Sequence, residues 1–335
     1  MRCLTWLTAA VIASPASGHH SYTGIDRGAV VAFSGTVKQF SWRNPHVYIT
    51  VESTNERDEP VVWEIETGGT PILSRSGWTR DSLKPGDVVE VRGHPERATG
   101  RSYALLMSIE KEDGTVLSQS ARRSLSNERT VDLNGVWKSR AESFAPIEPL
   151  SSLYDGFVAL GLTEKGLSAQ ARYDPQSDNQ TAICVGYSVL VTLASPHYLN
   201  EIQVNEDTVI IRNEWFDAER TIYMDGREHP DNGDRTLYGH SVGRWEDGVL
   251  VVDTALFADH RSPYGTGLPS GAQKHVVERF ALNEDGSSLT IDVLLEDPEY
   301  LASTFTGSLN WDYTPDFELY RYDCDPEVAG KFGPD

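Results

Sequence analysis

The sequence is poor in cysteine and in basic side chains, and both shortages narrow its possible functions. Its 335 residues include only three cysteines, and none of them forms a Cys-x-x-Cys pair, which argues against thioredoxin-like chemistry. Only 29 basic side chains oppose 50 acidic ones, giving a formal net charge of −21. A negative charge of this size repels nucleic-acid phosphates, so we predict no nucleic-acid partner.

Common catalytic motifs and long apolar runs are also missing. The sequence has no Gly-x-Ser-x-Gly and no phosphate-cradling glycine loop, so serine hydrolases and nucleotide-binding enzymes have no motif support. No run reaches the roughly 20 apolar residues of a membrane helix, and we expect no membrane insertion. Residues 1–18, with Arg2 before an apolar stretch and small residues after it, have the layout of a signal peptide. We therefore predict a periplasmic or secreted protein.

Two cysteines remain after removal of such a leader. Cys184 and Cys324 would lie in an oxidising compartment, where cysteine pairs persist as disulfides. Closing a loop of this length would stabilise the fold by about 4–5 kcal/mol in the chain-entropy model. The alternative is a pair of buried free thiols.

Alternating apolar and polar residues predict an all-β protein with two domains. In residues 19–117 the order is three strands, a short helix and two strands, which is typical of a five-stranded OB-type barrel. Residues 118–131 are polar and serine-rich and read as a linker. Residues 132–335 contain long hairpins, two of them with Asp-Gly turns. These favour a larger, lipocalin-like antiparallel barrel with an internal pocket over an open twisted sheet.

Both halves resemble known groups of bacterial proteins. HHSYTGID, GTVKQFSWRNPH and LKPGD, within about residues 19–110, resemble a family of small exported proteins of unknown function. RTIYMDGREHP and the segments that follow, within about residues 131–325, are similar to a second uncharacterised secreted family. Neither resemblance implies a reaction.

Histidines near the predicted cleavage site suggest a metal site. Cleavage after Gly18 would make His19 the first residue, and its amine and ring nitrogen could chelate copper with help from His20 or His46. Cleavage after Ala16 would instead give a Ser-Gly-His terminus with square-planar copper or nickel coordination. The alternative is that the two terminal histidines are solvated and idle and that His46 caps a carbonyl.

The second barrel contains the other candidate residues, which we expect to converge on its interior. His275 and Glu278 are three apart on a predicted strand, so they should point to opposite faces and cannot share one ion. The alternative for each arginine is a surface ion pair. The predicted catalytic residues are His240, His275, Asp253 and Tyr223, and the predicted ligand-binding residues are Arg220, Arg244, Trp245 and His229.

These observations leave three hypotheses open. The first is a binding protein for a small apolar or amphipathic ligand inside the second barrel. The second is an isomerase or lyase that uses His240 or His275 as a general base. The third is a copper-binding protein that uses His19 and His46.

Overall fold

A computed structural model describes residues 24–97, 100–119, 128–140, 161–174, 177–178, 180–260 and 268–330. The chain is mostly β, with a closed five-stranded barrel followed by a closed nine-stranded barrel, which confirms the predicted fold class. The predicted signal peptide, including its cleavage sites, lies outside the described residues, as do His19 and His20. None of the described helices is long and apolar enough to cross a membrane.

The first barrel has its strands in the order β3-β2-β1-β4-β5, and parallel pairing of β3 with β5 closes it. A sixth strand extends the sheet from β5. The elements are β1 (Val31–Ser41), β2 (Tyr48–Thr54), β3 (Pro60–Glu66), α1 (Thr70–Arg75), β4 (Val88–Pro95), β5 (Tyr103–Lys111) and β6 (Val116–Ser118). Alternate residues of these strands, such as Ile49 and Val51, are fully buried and fill the interior.

The second barrel follows the order β10-β11-β12-β13-β14-β15-β7-β8-β9, and β9 pairs with β10 to close it. Its pairs are antiparallel except for the short parallel pair β10 and β11. The strands are β7 (Gly135–Ser139), β8 (Leu199–Val204), β9 (Thr208–Asn213), β10 (Ala218–Tyr223), β11 (His240–Glu246), β12 (Val249–Ala255), β13 (His275–Leu282), β14 (Ser288–Glu296) and β15 (Phe305–Tyr313). The described residues of this half also form the α-helices α2 (Glu164–Ala171), α3 (Val189–Ala194) and α4 (Pro326–Ala329), with 3-10 turns at Gln180–Ile183 and Trp215–Asp217.

Helix α3 fills the interior of the second barrel. All six of its residues are buried, and they pack with the inward side chains of the strands in one apolar cluster. Barrel side chains also bond the carbonyls at its end: Trp311 Nε1 donates to Leu193 O at 2.9 Å, and Ser139 Oγ donates to Ala194 O at 3.2 Å. The helix end is therefore satisfied by the wall around it.

The filled interior differs from the predicted pocket. The cavity that borders α3, between residues such as Leu193 and Ile211, measures about 20 Å³, which is room for about one water. Hairpin periodicity predicted the wall correctly, but a barrel of this size can enclose either a ligand or part of its own chain. Here the long connection between β7 and β8 supplies the filling helix.

The last part of the chain joins the two barrels. The disulfide between Cys184 and Cys324 is formed, which confirms the predicted pair. Next to it, the backbone of Asn44 in the first barrel pairs with Cys324, and Asp325 N donates to Asn44 O at 3.1 Å. Arg75 of α1 donates to both carboxylate oxygens of the fully buried Glu214 at 2.6 Å. These contacts fix the relative position of the barrels.

Candidate functional site

Four predicted catalytic residues lie together on the outer wall of the second barrel. On β12 and β13 the even-numbered residues near this point are buried, whereas Asp253 and His275 are partly exposed. His240 of β11 and Tyr223 of β10 are also partly exposed and belong to the same outer face. Register explains the grouping, since Asp253 pairs with Val242 and Val277, so His240 and His275 are its diagonal neighbours.

His229 adds a third imidazole from the connection between β10 and β11. This connection turns sharply at Gly226, whose φ of +79° suits glycine. The side chain of Asp225 accepts from Arg227 N at 3.2 Å and fixes the turn. The turn directs the chain back across the outer wall, where His229 lies between His240 and Asp253.

The histidines and the aspartate form a continuous chain of short contacts. His229 Nδ1 lies 2.8 Å from His240 Nδ1, and His229 Nε2 lies 2.9 Å from Asp253 Oδ1. His275 Nε2 contacts the same Asp253 oxygen at 2.9 Å. The other ring nitrogen of His275 lies 3.4 Å from Glu296 Oε2. The order of the groups is therefore His240, His229, Asp253, His275 and Glu296.

Hydrogen-bond chemistry assigns roles along this chain. The carboxylate of Asp253 only accepts, so Nε2 of His229 donates to it. At the contact between the two Nδ1 atoms one ring donates and the other accepts; with Nδ1 of His229 as the acceptor, the donor is Nδ1–H of His240. This tautomer leaves the lone pair of His240 on Nε2, for which the described residues provide no hydrogen-bond partner.

The site moves histidine pKa values in opposite directions. The hydrogen bond to Asp253 raises the pKa of His275 above its ordinary value of 6.5, and Glu296 adds to the effect. Burial lowers the pKa of His240, and the nearby charge of Arg227 lowers it further. The hydrogen bond from His275 lowers the pKa of Asp253. The surroundings thus favour the neutral form of His240 and the charged form of His275.

An aromatic ring and a cation border His240. The ring of Tyr223 stacks on the imidazole with centroids 5.2 Å apart. The guanidinium of Arg227 lies 3.9 Å from the centre of the Tyr223 ring. Its Nε donates a hydrogen bond to Asp225 at 2.9 Å. The neutral base therefore lies beside a positive charge.

The expectation that the candidates converge on the barrel interior is wrong for most of them. Tyr223, His240, Asp253 and His275 face outward because they alternate with the buried residues of their strands. The predicted opposition of His275 and Glu278 is confirmed, since Glu278 is fully buried. Strand periodicity gave the alternation correctly, but it did not state which of the two faces was inside.

The predicted ligand-binding residues are dispersed. Arg220 does point inward, where it forms a buried ion pair with Glu278 at 2.5 Å and 2.9 Å. Arg244 is exposed and pairs with Glu246 at 2.6 Å, as the surface-pair alternative anticipated. Trp245 is 47% exposed near the other end of β11. Only His229 belongs to the cluster, so these four residues do not form one site.

His46, the described member of the predicted copper site, lies just before β2. Its Nδ1 is 2.9 Å from both Thr67 O and Glu66 Oε1. Burial alone would lower its pKa, but the hydrogen bond and charge of Glu66 and the bond to Thr67 produce a net rise. Because His19 and His20 lie outside the described residues, the copper hypothesis stays a prediction.

Within the described part of the chain, no group of three or more histidine, cysteine, aspartate or glutamate side chains is arranged to hold a metal ion. The cluster on the second barrel shows the reason. His229 directs Nδ1 to His240 and Nε2 to Asp253, so its neighbours contact opposite edges of the ring. A metal ligand set would need them to converge on one point.

Sequence reasoning missed Arg227 and Glu296 as members of this site. The doublet Asp225-Gly226 marked a turn, but the position of Arg227 over Tyr223 depends on where the connection returns to the wall. Glu296 joins the site only because His275 is its partner in the β13–β14 register. No local signal identified that pairing.

Comparison with known proteins adds little to this geometry. A family described as a "Family of unknown function (DUF6152)" matches residues 8–104, which is consistent with the resemblance of the first half to an uncharacterised family. No curated protein matches the sequence. Among solved structures, a luciferase domain from the dinoflagellate Lingulodinium polyedrum is 8% identical, with a TM-score of 0.24. The alignment covers 60% of this chain and 48% of that one. A likeness at this level carries no argument about function.

Proposed function

We propose that the outer wall of the second barrel is an acid–base catalytic site that removes a proton from a small carbon acid, as an isomerase or a lyase does. The observation that carries the proposal is the chain from His240 through His229 to Asp253, with contacts of 2.8 Å and 2.9 Å. A carboxylate behind an imidazole fixes its tautomer and stabilises the positive charge that forms when a proton is accepted. Here the imidazole of His229 lies between the carboxylate of Asp253 and the imidazole of His240.

His240 is the base in this proposal. Its lowered pKa keeps it neutral near pH 7, and its Nε2 carries the lone pair. His275 is less suited to this role because its two nitrogens face Asp253 and Glu296. Its charge instead keeps Asp253 ionised, so that the carboxylate can support the imidazolium formed in the chain.

Arg227, whose guanidinium also pairs with Asp225, places positive charge near the base. Proton removal next to a carbonyl group places negative charge on the carbonyl oxygen, and a cation near the base stabilises that charge in the transition state. The guanidinium of Arg227 reaches the Tyr223 ring that stacks on His240. The substrate class that fits is therefore a small carbonyl compound with an acidic C–H bond.

An apolar ligand inside the barrel is less well supported. Helix α3 and the inward side chains occupy that space. The outer-wall cluster, by contrast, is open to solvent, with side-chain exposures of 24% for His229, 32% for Asp253 and 34% for His275.

The test is hydrogen exchange in D₂O, followed by NMR, on a panel of small ketones, β-keto acids and 2-hydroxy acids. We expect the protein to promote deuterium uptake at the carbon next to the carbonyl group of at least one compound. His240→Gln should lower this rate by about 10²–10⁴-fold, the usual contribution of a general base. The matched control is His197→Gln, which changes an exposed histidine outside the cluster. Absence of uptake with every compound, or full activity of His240→Gln, would refute the proposal.

A further inference from the structure

A second cavity lies outside the wall of the larger barrel, apart from the histidine cluster. Its volume is about 260 Å³, enough for a compact molecule rather than a few waters. One side is a face of α2 and the residue after it, formed by Lys165, Ala169 and Arg172. The spacing of these residues, four and then three, places them on one helical face.

The two charged residues on the helical side differ in their pairing. Lys165 Nζ lies 2.5 Å from Glu299 Oε1 and 4.5 Å from the centre of the Tyr300 ring, so its charge is already balanced. Arg172 donates Nε to Ser168 O at 3.1 Å. Within the described residues its guanidinium has no carboxylate partner. Arg172 is thus the cation of this cavity that is open to an anionic group.

The cavity lining also contains an acid. Asp259 lines the cavity and is exposed, and it forms no ion pair with any residue in the described part of the chain. Its neighbour His260 adds no positive charge near neutral pH, because burial and the charge of Lys274 lower its pKa to about 4. A second carboxylate of the lining, that of Asp178, accepts a hydrogen bond from Asp174 N at 3.1 Å. The described lining therefore combines a cation without a carboxylate partner, Arg172, with an exposed acid, Asp259.

We propose that this cavity binds a small zwitterion of the amino-acid class, with its carboxylate on Arg172 and its ammonium group on Asp259. An aromatic wall, the ring of Tyr300, suits the short carbon skeleton between the two charges. The net charge of −21 disfavours a purely anionic ligand and tolerates a neutral zwitterion.

The experiment is isothermal titration of the full chain with glycine, L-alanine and 4-aminobutyrate. Acetate and methylammonium, which carry one charge each, are the reference probes. We expect at least one zwitterion to bind about tenfold or more tightly than either reference probe, because only it makes both charged hydrogen bonds. Equal binding of acetate and the amino acids would overturn the proposal, as would a lack of binding by all of them.

Three variants locate the site. Arg172→Gln and Asp259→Asn should each weaken zwitterion binding by about tenfold or more, whereas Arg80→Gln and Asp316→Asn, which alter exposed residues elsewhere, should not. Ala169→Trp should abolish binding by filling the cavity, and circular dichroism should show that it folds. Unchanged affinity in the Arg172 and Asp259 variants would place the ligand elsewhere and overturn the assignment.

Discussion

The two barrels differ in what fills them, and this difference explains where chemistry can occur. The smaller barrel is closed by five strands and filled by its own side chains, among them Val37 and Ile65. The larger one has nine strands and encloses helix α3. A larger circumference creates more interior volume than the wall side chains can fill. With that volume occupied, the partly exposed polar groups lie on the outer surface.

A histidine with a carboxylate partner occurs in both barrels, but the surroundings differ. His46 contacts a single carboxylate, Glu66, and its pKa is raised. In the second barrel the hydrogen bond to Asp253 raises the pKa of His275, whereas burial and the nearby charge of Arg227 lower that of His240. Titratable groups whose pKa values are moved apart are typical of acid–base sites. Four experiments test this difference between the two barrels.

The largest expected effect comes from the disulfide, whose two cysteines both belong to the second half of the chain. Cys184→Ser opens a loop spanning 140 residues and should lower the free energy of unfolding of the second barrel by about 4–5 kcal/mol. Hydrogen exchange measured by mass spectrometry resolves the two barrels. We expect faster exchange in β13 and β14 and a smaller change in β1 and β2. A dithiol that reduces the disulfide should speed hydrogen exchange in the native protein and leave that of the variant unchanged. Equal exchange rates in the native protein and in Cys184→Ser would contradict this prediction.

The buried ion pair of the second barrel should give the next largest effect. Glu278→Gln leaves the guanidinium of Arg220 buried without its counter-charge, which costs about 3–5 kcal/mol in the free energy of unfolding. Arg220→Met combined with Glu278→Leu should recover much of this loss, since an apolar pair can replace a buried ion pair. Urea denaturation measures both. The surface variant Arg244→Gln is the control and should lower the free energy of unfolding by less than about 1 kcal/mol. A similarly small loss for Glu278→Gln would show that the Arg220–Glu278 pair is solvated.

Packing inside the two barrels can be compared with matched leucines. Leu190 of α3 and Leu73 of α1 are both fully buried, and replacing either by alanine should cost roughly 2–5 kcal/mol. Only Leu190→Ala should open a cavity inside the larger barrel that binds benzene. Benzene titration followed by NMR distinguishes the variants. Strong binding of benzene or a larger apolar probe inside the native barrel would contradict a filled interior.

The smallest effects concern pH. Because the folded pKa of His275 is raised above its unfolded value near 6.5, its stabilising effect is complete below that value and is lost as pH rises through the folded pKa. The pKa of His240 is lowered, so its effect has the opposite sign, and stability is lost as pH falls from about 6.5 toward the folded pKa. NMR titration of the ring protons should give the higher midpoint for His275. Asp253→Asn should lower the midpoint of His275, whereas the control Glu246→Gln should leave it unchanged. Coincident midpoints for His240 and His275 would contradict the different roles proposed for them.

The class of fold and several local features were predictable from the amino-acid sequence. Alternation of apolar residues predicted both walls, and the short helix predicted after the third strand of the first barrel is present at Thr70–Arg75. Strand periodicity also separated His275 from Glu278 correctly. These features depend on the period of side chains along one element and on turn chemistry, which neighbouring residues encode.

The inner face of each strand and the content of the larger barrel depend on long-range packing and were not predictable from the sequence. The two faces of a strand differ by a single residue of register, and polar residues such as Arg220 occur on the inner one. The chain from His240 to His275 needs four separate segments, brought together by strand register and by the return of the Gly226 turn. Distances of this kind arise from long-range pairing, which the spacing of residues along the chain does not specify.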